Sequence, residues 1–259
     1  MKLLRFELAS APGYTRSGIV HGGKVYETDG EKAIGVHEWS DVVPFLPTGQ
    51  PPSYRVFRLG GEDEVWLRDE ESRPGYSYLN PATLIPPNRA LSMPLFTDDL
   101  GYEPQLCVVV ASGGAGIGVE EADAFILGLT VANTFVARDL ARGDSTARAR
   151  DFSTALGPFL TTPEELDDVV IDDSRGRRYR LEAVIRVNGE EVGRENLGEL
   201  PYTFAELASF ASETCGLLPG DLIGMGPIGL TGNSRPHLEA GDEVHVNVER
   251  LGALVTRIT

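Results

Sequence analysis

The run QLCVVVAS at residues 105–112 limits the architecture of this chain more than any other segment. Leu106, Cys107, Val108, Val109 and Val110 follow one another with no polar alternation. Side chains of a strand point alternately to its two faces, so an unbroken apolar run reads as a strand buried within a sheet. Short apolar segments separated by Gly, Pro and charged turns surround it. LLRFELA, SGIVHGGKVYET and KAIGVHEW alternate in the manner of a small antiparallel β unit. The stretch from PFLPTGQPPSYRVF to RDEESRPGYS is rich in Pro, Gly and charge, and reads as a connection. This gives a small N-terminal β domain and linker over residues 1–75 and a larger domain over 76–259.

Within the larger part, LNPATLIPPNRALSMPLF carries too many prolines for more than short extended pieces. EEADAFILGLTVANTFVARDLARG is compatible in composition with one long helix. Gly128, Thr130 and Val131 interrupt it, so helix, strand and short helix is an equal reading. TTPEELDD predicts a helical turn with Thr162 as N-cap and Pro163 at the first helical position. LEAVIRVNGEEVGREN predicts a hairpin turning at Asn188-Gly189. TFAELASFASETCG predicts a helix opened by a Thr203/Glu206 capping box and ended by Gly216. DEVHVNVERLGALVTRIT predicts two strands around Leu251-Gly252. The fold class is α+β, mostly β.

Composition removes several classes of function. The 259 residues carry a net charge of −16, and that field repels nucleic acid and anionic membrane surfaces, so neither is an expected partner. No apolar run reaches the length of a membrane span, and MKLLRFELAS lacks the apolar stretch of a signal peptide. A cytoplasmic protein is expected, with Cys107 and Cys215 as two buried reduced thiols. Neither a G-x-S-x-G elbow nor a P-loop occurs. Gly114, Gly116 and Gly118 read as a turn after a strand rather than a phosphate cradle. His21, His37, His237 and His245 show no metal-ligand spacing and read as surface or structural residues. The acids Glu164, Glu165, Asp167, Asp168, Asp172 and Asp173 read as a solvated face. Tyr102-Glu103-Pro104-Gln105 leads into the buried run, and the period of two aims residues 103 and 105 to the same side. They read either as strand-entry groups facing water or as the polar mouth of a site.

The order of segments resembles the fumarylacetoacetate hydrolase family from about Tyr78 to Thr259. YLNPATLIPP is similar to its Lys/Asn-Pro segment, and LGYEPQLCVVV to its Asp-Tyr-Glu-x-Glu-Leu-Ala-Val-Val strand. GLTVANTFVARDL resembles Gly-Tyr-Thr-x-x-Asn-Asp-x-Ser-Ala-Arg-Asp. ARARDFSTALGPFLTTPEEL resembles the lysine-bearing segment that ends in Leu-Gly-Pro-Trp. LLPGDLIGMGPIGL and HLEAGDEVHVNVERLGALVTRI resemble the family's last two motifs. The resemblance implies a mixed β-roll, a homodimer, and action on small enolisable 2-oxo or 1,3-dicarbonyl compounds. It also implies Mg²⁺ held by the two acids of Glu-x-Glu and the Asp of Asn-Asp.

Of those three ligands only Glu103 is present; Gln105 and Thr134 stand at the other two positions. The family's lysine is replaced by Arg148 on a gapless count from Gly157-Pro158, or by Arg150 if the alignment slips. An arginine cannot act as a neutral base, but it can hold an enolate or carboxylate. The Thr-Gly-Thr-Pro turn reads Met225-Gly226-Pro227-Ile228, and no histidine-glutamate lid motif is visible between Arg55 and Tyr78. Arg138 and Asp139 survive and read as a structural pair at a helix start.

These losses predict a metal-independent isomerase or cyclase that rearranges a conjugated or 1,3-dicarbonyl compound, as in the tailoring of a secondary metabolite. Arg148 would hold the developing oxyanion, and Glu103, its pKa raised by burial, would be the acid or base. Tyr78, Asn80, Gln105, Thr134, Arg150 and Gly226 would contact the substrate. No cofactor is expected on this reading. The alternatives are a Mg²⁺-dependent C–C hydrolase or decarboxylase, its site rebuilt from Glu103 with Asp98, Asp99 or Asp139, and a non-catalytic binding subunit.

Overall fold

A computed structural model describes residues 1–59, 74–141, 147–230 and 237–259, leaving aside the side chain of Asp172. The N-terminal alternating segments form β1 (Lys2–Leu8), β2 (Ala11–His21), β3 (Lys24–Thr28) and β4 (Ala33–Glu38), followed by the short β5 (Val42–Pro44). Their meander is joined to the rest of the chain by hydrogen bonding: β1 pairs antiparallel with β11 (Thr154–Thr161), setting Lys2 opposite Thr161 and Leu3 opposite Leu160.

The stretch expected to be a connection holds a strand, β6 (Tyr54–Arg58), four of whose five residues are buried. Its prolines lie before it, at Pro51 and Pro52, and do not interrupt it. β7 (Tyr76–Leu79) and β8 (Leu84–Ile85) follow as short extended pieces among the prolines. The apolar run lies in β9 (Leu100–Val110), whose eleven residues are all buried.

The ambiguous segment resolves into a short helix α1 (Val119–Ala122), a 3-10 turn and the long strand β10 (Ile126–Ala137), closed by a second 3-10 turn at Arg138–Leu140. Thr130, Val131, Thr134 and Val136 favour the extended form, and β9 needs a partner on this side. β10 supplies it along eleven paired positions, from Ile126 opposite Val110 to Ala137 opposite Leu100. On its other side β9 pairs with β16 (Leu222–Gly226), which runs parallel to β6. The large sheet therefore runs β4-β3-β2-β1-β11-β10-β9-β16-β6-β7.

One face of its centre packs Leu106, Val108, Val131 and Phe135 into the main core, together with the helix α2 (Phe204–Thr214) and a four-stranded sheet. That sheet contains β14 (Glu182–Val187), β15 (Glu190–Asn196), β17 (Glu243–Val248) and β18 (Gly252–Arg257); β12 (Val170–Asp173) and β13 (Gly176–Tyr179) form a separate ribbon. The other face of the centre holds a smaller core of Tyr54, Val56, Leu79, Cys107, Ala132 and Leu156.

The β14–β15 hairpin turns at Asn188 and Gly189 with φ of 54° and 84°, as its sequence predicts. The Thr203/Glu206 capping box is present at α2. Its other end differs from expectation: Cys215 is extended, Gly216 has no positive φ, and Gly216 instead packs closely against Gly114. Cys215 is exposed rather than buried. The turn after Thr162 is a 3-10 helix, Pro163–Val169, and the Thr162 hydroxyl accepts from the N-terminal amine at 2.5 Å instead of capping it. Among the described residues no helix is long and apolar enough to cross a membrane.

Replacing Thr203 with Ala removes the side-chain acceptor for the Glu206 backbone N–H at 3.1 Å. A loss of about 1 kcal/mol is expected, read as a fall of roughly 2–4 °C in the thermal midpoint.

Candidate active site

The strand register gathers the polar residues of the central sheet on one face. Glu103 on β9 lies directly opposite Thr134 on β10, and Thr134 lies opposite Thr154 on β11. Gln105 is two residues along β9 from Glu103 and so shares that face. Glu103 is 4% exposed and Gln105 1%, while Thr134 is fully enclosed.

A carboxylate so buried needs compensation, and two arginines supply it. Arg150 donates from Nε to Oε2 at 2.8 Å and from Nη2 to Oε1 at 2.6 Å, a two-point contact. Arg58, the last residue of β6, adds a contact from Nη2 at 3.3 Å. Arg150 is held in place by a 3-10 turn, Arg148–Arg150, just before β11. Burial alone would favour the neutral acid, as the sequence reading assumed; two adjacent guanidinium groups favour the charged form. Of the two candidate arginines, the structure sets Arg150 on Glu103. Arg148 is exposed and makes no ion pair among the described residues.

Below this pair runs a chain of neutral hydrogen bonds. Burial pushes the Tyr54 phenol well up and the Cys107 thiol up to about 12, so both keep their protons. Tyr54 donates to Gln105 Oε1, and Cys107 Sγ lies 3.3 Å from the phenol oxygen. Gln105 Nε2 donates to Thr134 Oγ1 at 2.9 Å, and Thr134 meets Thr154 Oγ1 at 3.1 Å. Gly226 makes room for this arrangement, because a Cβ there would stand 2.7 Å from Gln105 Cγ. Gln105, Thr134 and Gly226 therefore form the floor beneath the site, their polar side-chain groups already paired.

A cavity of about 420 Å³ opens above, lined by Tyr78, Leu79, Asn80, Ala147, Arg148, Arg150 and Asp151. Glu103 is not among its lining residues, whereas Arg150, which holds it, is. The Tyr78 ring is backed by the Arg55 guanidinium, 5.4 Å from its centre, and Arg55 is itself paired with buried Asp221 at 3.2 Å. Asn80 spends its side-chain oxygen on the Ala82 backbone N–H at 3.0 Å, which caps the next turn.

A divalent cation of the kind the resemblance implies needs several converging oxygen donors, most of them charged. The donors here do not fit one. Glu103 is engaged by two arginines, and Gln105 and Thr134 are spent on each other and on Tyr54 and Thr154. Asp139 accepts from Thr97 Oγ1 at 2.5 Å, and Asp99 faces Arg138 at 3.7 Å and His237 at 3.3 Å. Arg138 thus meets Asp99, and Asp139 meets Thr97. Among the described residues no three His, Cys, Asp or Glu side chains converge as metal ligands.

The sequence reading placed Glu103, Gln105, Thr134, Tyr78, Asn80 and the arginines in one region, and the structure brings them together in two layers. It missed Arg58, Tyr54 and Asp151. Arg58 and Tyr54 share a face of β6 by the period of two, but that strand was read as a connection. Asp151 was hidden by its position next to the arginines. Of the stretch between Arg55 and Tyr78, where the lid motif was sought, residues 60–73 lie outside the described residues.

The chain is similar to known proteins along most of its length. The family model described as fumarylacetoacetate (FAA) hydrolase, C-terminal, matches residues 58–259. An uncharacterized protein of Archaeoglobus fulgidus is 29% identical over 252 residues, covering 93% of this chain and 92% of the relative. The mitochondrial oxaloacetate tautomerase Fahd2a of Rattus norvegicus is 26% identical over 184 residues. That match covers 68% of this chain but only 56% of the relative. Among solved structures, 5-carboxymethyl-2-hydroxymuconate delta-isomerase from Mycobacterium smegmatis superposes with a TM-score of 0.80 at 23% identity, covering 100% of this chain and 99% of that one. At that identity the likeness shows the fold.

Removing Arg150 takes its two-point contact from the buried Glu103. Arg150→Ala is expected to cost roughly 3–5 kcal/mol in urea unfolding, and Arg150→Ala combined with Glu103→Gln to recover much of the loss. Thiol titration of the native protein at pH 8 should label Cys215 and spare Cys107 until the chain is denatured, because Cys107 is buried with its thiol pushed up to about 12.

Proposed function

The chain belongs to the fumarylacetoacetate hydrolase family, and on that premise we propose that it isomerises a small enolisable acid without a bound metal. The observation that carries this reading is the Arg150–Glu103 pair at the wall of the cavity, where fixed positive charge stands beside protonatable groups. The tautomerase and isomerase activities in the names of two similar proteins support the same class of reaction.

Isomerisation of this kind moves one proton and consumes no water. A base removes a proton from carbon next to a carbonyl, the C–H electron pair becomes a C=C bond, and the carbonyl oxygen takes the negative charge. Arg150, fixed by Glu103, faces that oxygen, while exposed Arg148 receives the substrate's carboxylate. This exchanges part of the roles expected from sequence: Arg150 holds the oxyanion and Glu103 positions Arg150. Asp151 is the carboxylate lining the cavity and takes the proton; the Tyr78 hydroxyl gives one to the oxygen or to a second carbon, and the proton on Asp151 then passes back to Tyr78 through solvent, restoring both groups. A guanidinium held in a fixed geometry opposes the new charge without reorganising.

Keto–enol exchange of oxaloacetate, followed by ultraviolet absorbance, is the first assay. We expect turnover that is unchanged after chelation with EDTA. It should fall about 10²–10⁴-fold in Asp151→Asn and about 10²–10³-fold in Arg150→Ala. Turnover that is abolished by EDTA and restored by Mg²⁺ would overturn the metal-free reading.

A further inference from the structure

We infer that Glu103 marks a divalent-cation position that the chain has plugged with its own Arg150, so that the guanidinium is a tethered cation. The inference rests on the metal-free reading above and extends it to the residues that would reverse it.

Three observations converge. Positions 103, 105 and 134 share one face of the central sheet, with Glu103 and Thr134 directly opposed across β9 and β10. Oxygen-bearing side chains at these three positions therefore stand together, yet Glu103 alone is charged. The carboxylate is 4% exposed and cannot be left to water, and Arg150 meets it with two donors at 2.8 and 2.6 Å. The charges are also consistent: the guanidinium groups of Arg150 and Arg58 face one carboxylate, whereas carboxylates at all three positions would outnumber them. Neutral Gln105 and Thr134, closed on each other at 2.9 Å, leave Glu103 as the one carboxylate of the three positions that those arginines meet.

The consequence is a substitution set with a defined readout. In Arg150→Ala/Gln105→Glu/Thr134→Asp the plug is removed and two carboxylates join Glu103, giving a hard-cation donor set on one face. Chelator-stripped full-length proteins would be titrated calorimetrically with Mn²⁺ and Mg²⁺, with thermal melts alongside. The triple variant should bind one Mn²⁺ per chain, with its melting temperature rising roughly 5–10 °C at ~100 times the dissociation constant. The same triple variant with Glu103→Gln added should show a much smaller response, and wild type should show none into the millimolar range.

A triple variant that is folded by circular dichroism but binds neither ion overturns the plug. If that variant does not fold, Arg150→Ala alone decides. A saturable rise of its melting temperature with Mn²⁺, absent from wild type, supports the plug, and no rise overturns it. Saturable binding by wild type is a different outcome. It sinks the metal-free reading itself, because the cation would then displace Arg150.

Discussion

A carboxylate on the central strand of a sheet has to be neutralised in place, and the geometry of this site follows from how that is done for Glu103. Taking the charge out of water costs several kcal/mol, and a partner repays it only when its geometry is close to ideal. The planar fork of Arg150 meets both carboxylate oxygens, and Arg58 reaches the first of them from the neighbouring end of β6. Both arginines are thereby oriented, and Arg150 is turned into the wall of the cavity.

The neutral chain beneath the pair obeys the same constraint. A second acid at position 105 could accept from Tyr54 but would offer Thr134 no donor, and it would stand two residues from Glu103 on the same face. The amide of Gln105 both accepts and donates, so it joins Tyr54 to Thr134 and leaves neither of its ends unpaired. The bare backbone at Gly226 is the steric counterpart, since a Cβ there would collide with Gln105 Cγ. The residues that depart from the family pattern at 105, 134 and 150 therefore fit one another. They read as one coordinated change in how the charge of Glu103 is balanced.

Much of this was legible in the sequence where the signal is local. The run at 105–112, the Asn188-Gly189 turn and the Thr203/Glu206 box each carry their own structural instruction, and each formed, though the strand ends at Val110 and leaves Ala111 and Ser112 exposed. Gly216 shows the limit of such signals: it follows the helix without the positive φ of a glycine cap and lies beside Gly114 and Ala115. The site was legible in membership but not in layering. Periodicity puts Glu103 and Gln105 on one side of a strand, yet it cannot say that the side is covered by Arg150 and Tyr54. Those contacts span 47 and 51 residues of sequence, respectively, and depend on the order of strands in the sheet. The choice between Arg148 and Arg150 likewise turns on the 3-10 turn that carries both and aims the second inward.

Charge placement links the site to the molecule around it. The chain carries −16 overall, yet its cavity mouth sets Arg148 and Arg150 beside Asp151, with Arg58 behind them at Glu103. In an acidic protein such a cluster is a local reversal of the surrounding field, and an anionic small molecule gains most by entering where that reversal is concentrated. Arg148, without an ion pair among the described residues, has no internal partner to give up when a ligand carboxylate arrives. On the proposed reading the two arginines divide the work: the one held by Glu103 provides a fixed field, and the exposed one supplies an adaptable contact.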